Sequence, residues 1–119
     1  MRSDPRVEVC EGTNALAWTP PEPCGLVTID AGWTPQRLIL ISAQRALKPG
    51  GAVISLIKPH YEADKGWLRR GVLASDKLEE TLSLVREDIC DLGWRVVGET
   101  PSPLRGHGGN VEFLWLLRR

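Results

Sequence analysis

The amino-acid sequence predicts one α/β domain over residues 1–119, with a mostly parallel β-sheet, an antiparallel last strand and helices on both faces. The elements follow in the order strand, strand, helix, strand, helix, strand, strand, and two strand candidates are almost wholly apolar, as in strands covered on both faces. A loop rich in glycine and proline before the last strand has a length that suits an antiparallel pair. Right-handed crossovers then predict helices on both faces of the sheet.

The composition fits one domain of this size and excludes several classes of protein. Hydrophobic residues make up 42% of the 119 residues, which is enough for a core and excludes a disordered or fibrous chain. Fifteen Lys and Arg residues balance fifteen Asp and Glu residues. This balance argues against a protein that binds phosphate through bulk charge, but it is compatible with local binding of nucleic acid.

Three widely spaced cysteines without a CxxC pair indicate reduced thiols in a cytosolic compartment. No apolar run approaches the roughly twenty residues of a membrane span, and residues 1–6 lack the apolar core of a signal peptide. We therefore expect a cytoplasmic protein that has no membrane partner.

The first part of the chain contains two strand candidates on either side of a proline-rich loop. Residues 6–10 alternate between polar and apolar side chains, as a half-buried strand does. Residues 19–23 read TPPEP, which is typical of a loop. Residues 25–30, GLVTID, are almost continuously apolar and predict a buried strand.

A helix and a further buried strand follow. Thr34 and Pro35 form a helix start, with a capping hydroxyl followed by a residue whose missing N–H costs nothing at the first helical position. We predict the helix over residues 38–47, ended by a turn at 48–51, KPGG. Residues 52–57 then form a buried strand.

The second half begins with a loop over residues 58–74 and continues with a well-marked helix. Asp76 and Glu79 resemble a capping box, and apolar residues recur at helical spacing up to Leu92. Gly93 stands where a left-handed C-terminal cap is needed. Two strands, 94–100 and 111–117, then flank a loop over 101–109.

Three ionisable residues are predicted to meet at one edge of this sheet. Asp30 and Lys58 each end a parallel strand, where ligands of open α/β sheets bind. Glu112 begins the antiparallel last strand and therefore reaches the same edge. Simpler roles also fit: Asp30 as a turn or helix cap, Lys58 as a solvated strand end, and Glu112 as a residue directed at solvent.

Several segments of the chain resemble the FtsJ-like ribosomal RNA methyltransferases, especially their TlyA (hemolysin A) branch. The more specific motifs are KPHYE at 58–62 and SPLRGHGGNVEFL at 102–114. DPRV at 4–7 and EGTN at 11–14 also resemble that branch, and the KPGG turn is shared by many methyltransferases. The resemblance covers nearly the whole chain and corresponds to the C-terminal half of the methyltransferase domain only.

The resemblance implies a Rossmann-like fold that transfers a methyl group from S-adenosylmethionine to a ribose 2′-hydroxyl of rRNA. By motif match, Asp30, Lys58 and Glu112 take the last three places of a Lys-Asp-Lys-Glu tetrad. Lys58 is then the general base, oriented with the attacking oxygen by the two carboxylates. Asp30 is also a weak candidate for contact with the cofactor. His60 and Tyr61 depart from the Gln and Phe that are usual in the family.

The family's first tetrad lysine, glycine-rich turn and acidic ribose-binding residue would precede Met1. We therefore expect a truncated methyltransferase fold that is inactive or incomplete alone and does not hold S-adenosylmethionine by itself. The alternative is a non-catalytic binding or assembly module derived from the same fold.

The loops suggest a second, weaker site that faces RNA. Lys65, Trp67, Arg69, Arg70 and Arg105 could form a small basic rim with one stacking surface. A solvated loop with one packed tryptophan is the alternative. The other tryptophans, Trp18, Trp33, Trp94 and Trp115, are expected in the core or in an interface and not as base-stacking surfaces.

The family's strand order predicts an exposed sheet edge beside the strand at 26–29. Unpaired edges recruit other strands. Either residues 7–10 pair there, or a second copy of the chain or a complementing chain does. Homodimerisation is the preferred outcome.

Overall fold

The structure is a computed structural model that describes residues 2–119. It contains a four-stranded sheet, a two-stranded hairpin and three α-helices. The strands are β1 (Cys24–Ile29), β2 (Leu47–Ile57), β3 (Leu68–Arg69), β4 (Val72–Leu73), β5 (Arg95–Pro101) and β6 (Phe113–Arg118); the helices are α1 (Gln36–Ala46), α2 (Pro59–Glu62) and α3 (Leu78–Asp91).

Strand directions in the main sheet, which has the order β1-β2-β6-β5, follow the prediction. β1 and β2 are parallel, and β6 runs antiparallel to both of its neighbours, so that β5 has the direction of β1 and β2. The strands predicted over 94–100 and 111–117 are found as β5 and β6, displaced by one or two residues. The α/β class and the antiparallel last strand are thereby confirmed.

The two longer helices cover the same face of the sheet. Gln36 of α1 accepts a hydrogen bond of 2.8 Å from Ser55 of β2, and Arg86 of α3 lies 4.6 Å from the ring of Trp115 in β6. Ser55 and Trp115 are direct partners in the sheet, so they share one face. The prediction of helices on both faces is therefore wrong for α1 and α3. Because β1, β2 and β5 follow one another in the same direction across the sheet, right-handed connections all pass on one side.

The hydrophobic core lies between this face and the two helices, whereas the opposite face is open. Buried residues from both layers form the core: Leu40, Val53, Ile57, Val85, Ile89, Trp115 and Leu117. On the open face, Leu26 of β1 is 52% exposed, and Ile54, Leu56, Leu114 and Leu116 are partly exposed. The sheet thus has one packed face and one apolar face that the described residues leave partly exposed to solvent.

The helix α1 lies close to the predicted 38–47 but is bounded differently. Thr34 does not cap it; its hydroxyl lies 3.4 Å from a carbonyl oxygen within its own loop. The KPGG segment at 48–51 belongs to β2 instead of forming a separate turn. A Cβ atom on Gly51 would lie 3.0 Å from the carbonyl oxygen of Gly25. Glycine is therefore needed where β1 and β2 approach each other closely.

The helix α3 ends as predicted but does not begin with a capping box. Asp76 lies in the 3₁₀ turn Ser75–Lys77, and no side chain caps the start of the helix. Gly93 has the expected left-handed φ of +85° and donates its N–H to Cys90. At 14 residues, α3 is the longest helix of the region described. No helix within residues 2–119 is long and apolar enough to cross a membrane.

The segment before β1 is an irregular arm, and the strand predicted over residues 6–10 is wrong. Val7 and Val9 are exposed, and no strand lies beside them within residues 2–119. Alternating side chains stabilise a strand only where a neighbouring strand takes up the backbone hydrogen bonds. The arm is held instead at Leu16, whose carbonyl accepts hydrogen bonds from Ser42 and Arg45 of α1 at 3.2 and 2.6 Å.

Candidate active site at the sheet edge

The structure brings Asp30, Lys58 and Glu112 to one edge of the sheet. Asp30 directly follows β1, Lys58 directly follows β2, and Glu112 directly precedes the antiparallel β6. Lys58 Nζ lies 2.7 Å from Asp30 Oδ1, and Glu112 is close enough for its charge to affect the lysine. This placement agrees with the convergence expected from the strand ends. The catalytic roles of the three residues stay a prediction.

Lys58 carries a positive charge in this arrangement. The hydrogen bond to Asp30 raises the pKa of Lys58 above its usual value, and the charges of Asp30, Glu112 and Tyr61 add to this effect. Partial burial of the ammonium group acts in the opposite direction. The lysine therefore acts first as a hydrogen-bond donor that orients an oxygen, and accepting a proton requires its pKa to fall.

Glu112 is held in a tight environment beneath a glycine. Glu112 is 8% exposed. A Cβ atom on Gly106 would lie only 2.5 Å from Glu112 Oε2 and 3.3 Å from His60 Cε1. The absence of a side chain at Gly106 allows the loop after β5 to close over the carboxylate and the imidazole.

His60 is a buried neutral imidazole next to this carboxylate. It is 5% exposed, and its Nδ1 has no hydrogen-bond partner. Burial lowers the pKa of His60, and the charges of Lys58 and His107 lower it further. The imidazole is therefore uncharged at neutral pH and adds no positive charge to the site.

Aromatic side chains extend from His60 to the surface. The rings of His60 and Tyr61 have centroids 4.3 Å apart, and those of Tyr61 and Trp33 are 4.8 Å apart. Trp94 and Trp115 lie in the core, as expected. Trp33 is 84% exposed, so its placement in the core is wrong, whereas a place in an interface stays a prediction. Only the tertiary fold reveals this position, because the tryptophan itself carries no sequence signal for exposure.

A buried polar linkage connects the loop after β2 to the start of α1. Glu62 Oε1 accepts a hydrogen bond of 2.8 Å from the backbone N–H of Gln36, whose side-chain oxygen accepts one of 2.8 Å from Ser55. Burial raises the pKa of Glu62 to about 7, against the lowering effects of this hydrogen bond and of Arg37. Glu62 thus satisfies the helix start for which Thr34 was predicted. It also fixes the short helix α2, which begins directly after Lys58.

The predicted basic rim lies on the hairpin β3–β4, on the preceding 3₁₀ turn and on the loop before β6. Trp67 is half-buried, with Lys77 Nζ 4.8 Å from its ring centroid, and so is partly covered. The four cationic residues are exposed: Lys65, Arg69, Arg70 and Arg105. Their contact with RNA stays a prediction.

One buried amide holds the hairpin against the loop before β6. Asn110, which is 4% exposed, accepts the N–H of Leu73 at 3.0 Å. Its amide nitrogen donates to the carbonyls of Gly71 and His107 at 2.9 and 2.8 Å. Sequence analysis missed Asn110, because these partners lie up to 39 residues away.

The outer side of β1 is unpaired within residues 2–119 and borders a groove. The groove has a volume of about 280 Å³, and Asp30 and Trp18 of the arm are among the residues that line it. Apolar residues of β1 and α1, among them Val27, Ile39 and Ala43, form most of its wall. Residues 7–10 do not pair beside β1, contrary to one of the two expected arrangements.

Comparisons with known proteins agree with the geometry of the site. No protein-family model matches the chain. It is 36% identical over 123 residues to the 16S/23S rRNA (cytidine-2′-O)-methyltransferase TlyA of Mycobacterium tuberculosis. The alignment covers 98% of this chain and 46% of that protein. A solved structure from Streptococcus thermophilus, provisionally named a hemolysin, has a TM-score of 0.91 at 31% identity and covers 98% of this chain and 44% of that one. The chain spans about half the length of the curated relatives that it matches.

A more distant structure supports the fold alone. The N-methyltransferase NodS from Bradyrhizobium japonicum has a TM-score of 0.51 at 16% identity, over 90% of this chain and 57% of that one. The α/β methyltransferase-like fold and the resemblance to TlyA-like rRNA methyltransferases are thereby confirmed.

Proposed function

We propose that these residues supply the catalytic edge of an S-adenosylmethionine-dependent rRNA methyltransferase that acts on a ribose 2′-hydroxyl. The observation that carries the proposal is the Lys58–Asp30 ion pair at 2.7 Å, with the buried Glu112 beside it, at the edge of the sheet. The similarity to the TlyA protein over 98% of the chain supports the same reaction class and rRNA as the substrate. An rRNA substrate also agrees with a cytoplasmic location.

In this proposal Lys58 both orients and deprotonates the hydroxyl group. Its Nζ first donates a hydrogen bond to the hydroxyl oxygen, while the ion pair with Asp30 holds the ammonium group and the charge of Glu112 stabilises it. S-adenosylmethionine supplies an electrophilic methyl group on a positively charged sulfur. A positive charge in the cofactor site would lower the pKa of Lys58, so that the ammonium group could release one proton to solvent. The neutral amine would then accept the hydroxyl proton.

The described residues fit the cofactor as one wall of its site. The groove beside β1 is apolar and passes the carboxylate of Asp30, which suits contact with an adenosyl group. The loop that follows β1 contains a single glycine, Gly32, and not a glycine-rich turn of the dinucleotide-binding type. Because the curated relatives are about twice as long, we propose that additional polypeptide forms the other walls.

We propose that the unpaired side of β1 is completed by a strand of a second copy or, failing that, of a complementing chain. Leu26 beside this edge is 52% exposed. Because the formal net charge of the chain is zero, two copies do not repel each other through their net charge. Light scattering should show a dimer at micromolar concentration, which Leu26→Lys converts to a monomer. Leu38→Lys, at an exposed position on α1, should leave the dimer intact. A strictly monomeric parent chain would contradict the homodimer.

The exposed cations of the rim, Lys65, Arg69, Arg70 and Arg105, are proposed to contact RNA phosphates. Their contribution would be local, given the balanced charge of the chain. A double Arg69→Gln, Arg70→Gln variant should weaken binding of rRNA fragments and reduce its dependence on salt. An unchanged affinity and salt dependence would argue against the rim.

The catalytic proposal is tested in a chimera. The 119 residues replace the matching segment of the Mycobacterium tuberculosis TlyA protein, and transfer of labelled methyl groups to rRNA is measured. We expect methylation by the chimera and a loss of at least about a hundredfold in its Lys58→Met form. Lys65→Met, at an exposed lysine of the rim, serves as the matched control and should keep the methyl-transfer step when RNA is saturating.

Two results would contradict the catalytic proposal. One is a chimera that folds and binds S-adenosylmethionine but leaves rRNA unmethylated, which favours the non-catalytic assembly module. The other is full activity of the Lys58→Met chimera. Calorimetry of the isolated chain with S-adenosylmethionine and S-adenosylhomocysteine adds an independent readout. If the chain forms only one wall of the cofactor site, neither ligand should bind tightly. Tight binding would show a complete cofactor site.

A further inference from the structure

A cavity with a volume of about 400 Å³ lies at the end of the sheet opposite Lys58. It is bordered by the start of β2, the start of β5 and the end of β6. Lys48 in its wall precedes Lys58 by ten positions along β2, which corresponds to about 30 Å at roughly 3.3 Å per residue. A small ligand bound in this cavity therefore does not contact the reactive edge.

Four cationic side chains line this basic cavity, and no carboxylate side chain does. The four are Lys48, Arg95, Arg118 and Arg119, and all of them are exposed. None of the four forms an ion pair within residues 2–119, although the whole chain carries equal numbers of acidic and basic residues. The described residues therefore leave the positive charge at this end of the sheet without a neutralising partner.

Two of these cations are direct partners in the sheet. Arg95 of β5 lies opposite Arg118 of β6, so their side chains leave the sheet on the same face. Like charges directly opposite each other destabilise an antiparallel pair of strands. An anion that binds between the two guanidinium groups removes this repulsion, so the sheet itself gains stability from such a ligand.

Uncharged oxygen atoms hold two of the arginines in place. Arg118 Nη1 donates a hydrogen bond of 3.2 Å to the carbonyl of Gly50. Arg119 Nη1 donates to Gln44 Oε1 at 2.9 Å and to the carbonyl of Leu92 at 3.0 Å. Each bond fixes one nitrogen of a guanidinium group and leaves the full positive charge in place. The remaining N–H groups of both arginines are thereby oriented in advance for an anionic ligand.

We propose that the basic cavity is a phosphate-binding site that is separate from the reactive edge. Guanidinium groups bind phosphate through two parallel N–H···O bonds. A phosphate monoester carries nearly two negative charges, and successive phosphodiesters of an RNA backbone carry one each, so both can neutralise the pair Arg95 and Arg118. A single carboxylate would neutralise only one of them. The site takes phosphate oxygens from an RNA backbone or from a free phosphate compound, and its test does not require methyl transfer.

Calorimetry of the chain with sodium pyrophosphate, at an ionic strength kept constant with sodium chloride, measures the affinity of the site. The double variant Arg95→Gln, Arg118→Gln should bind pyrophosphate at least about tenfold more weakly, because it loses two charged hydrogen-bond donors. The control Arg2→Gln, Arg6→Gln removes the same charge from two arginines that already have carboxylate partners. It should keep the affinity of the parent chain.

Thermal melting shows whether each variant folds and gives a second readout. Pyrophosphate should raise the melting temperature of the parent chain more than sodium chloride of equal ionic strength does, because it binds the folded site. This difference should disappear in the double variant. If the double variant does not fold, Lys48→Gln takes its place, since this exposed side chain can be replaced without loss of packing. It should weaken pyrophosphate binding about threefold.

Anisotropy of a labelled short oligoribonucleotide identifies the source of the phosphate. A parallel loss of RNA and pyrophosphate affinity in the double variant assigns the site to an RNA backbone, whereas loss of pyrophosphate affinity alone assigns it to a free phosphate compound. Amide spectra of the ¹⁵N-labelled chain should show shifts at Gly50 and Gly51 in the cavity wall when pyrophosphate is added. The inference is overturned if pyrophosphate stabilises the parent chain no more than chloride, if the double variant binds it equally well, or if the shifts are confined to the hairpin β3–β4.

Discussion

Replacing Glu62 with glutamine should stabilise the protein at alkaline pH and have little effect at acidic pH. The carboxylate is largely buried between α2 and the start of α1, where it accepts the backbone N–H of Gln36 at 2.8 Å. Burial raises its pKa from 4.5 to about 7. A glutamine has nearly the same shape and an oxygen that accepts the same N–H, but it never carries the charge whose burial is unfavourable.

The sign of the effect follows from proton binding. The folded state holds the Glu62 proton up to about pH 7, whereas the unfolded chain loses it near the ordinary value of 4.5. Between these values the folded state binds more protons, so stability falls as pH rises and stays low above pH 7. A shift of this size corresponds to about 3 kcal/mol in the free energy of unfolding, at about 1.36 kcal/mol per pKa unit.

Urea unfolding of both proteins between about pH 5 and pH 8.5 measures this difference. The gain in unfolding free energy on Glu62→Gln should increase by about 2.5 kcal/mol across that range, most of it below pH 7. Burial also lowers the pKa of the His60 imidazole, but it does so in both proteins, so its effect cancels in the comparison. Glu79→Gln, at an exposed position on α3, is the control and should reproduce the parent profile. Two profiles separated by a constant amount would refute the reasoning.

Two further substitutions test the packing around the site. Gly106→Ala places a Cβ atom 2.5 Å from Glu112 Oε2 and should cost about 1–3 kcal/mol of unfolding free energy; a change below about 0.5 kcal/mol in urea unfolding would show that the loop adapts freely. Ser55→Ala removes the only described partner of the Gln36 side-chain oxygen and should cost about 1–3 kcal/mol. Urea unfolding also measures the effect of Ser55→Ala, and a variant as stable as the parent would mean that the buried oxygen of Gln36 finds another donor.

The sequence predicts most of the scaffold because its signals are local. The apolar runs at 25–30 and 52–57 become β1 and β2, since a continuous run of this length can be buried only in a sheet interior. The heptad-like apolar spacing of α3 and the glycine at its end specify that helix without reference to the remainder of the chain. Because Asp30 and Lys58 are attached directly to strand ends, their meeting at one edge also follows from topology.

Features that depend on distant partners could not be predicted in this way. Residues 6–10 alternate like a strand, but no neighbouring strand accepts them within residues 2–119. The start of α1 is capped by Glu62, which is 26 residues from its partner, although Thr34 has the better local signal. Trp33 is exposed because its loop holds it at a positive φ next to Tyr61, and neither fact is contained in its immediate sequence.

The side-chain hydrogen bonds of Asn110 hold the hairpin β3–β4 and the loop before β6 together. One amide satisfies backbone groups on both segments, and Glu112 follows only two positions later. The exposed arginines of the hairpin, Arg69 and Arg70, and the carboxylate of Glu112 are thus connected to the same buried amide. Loss of this amide would separate the rim from the reactive edge, although Asn110 belongs to neither of them.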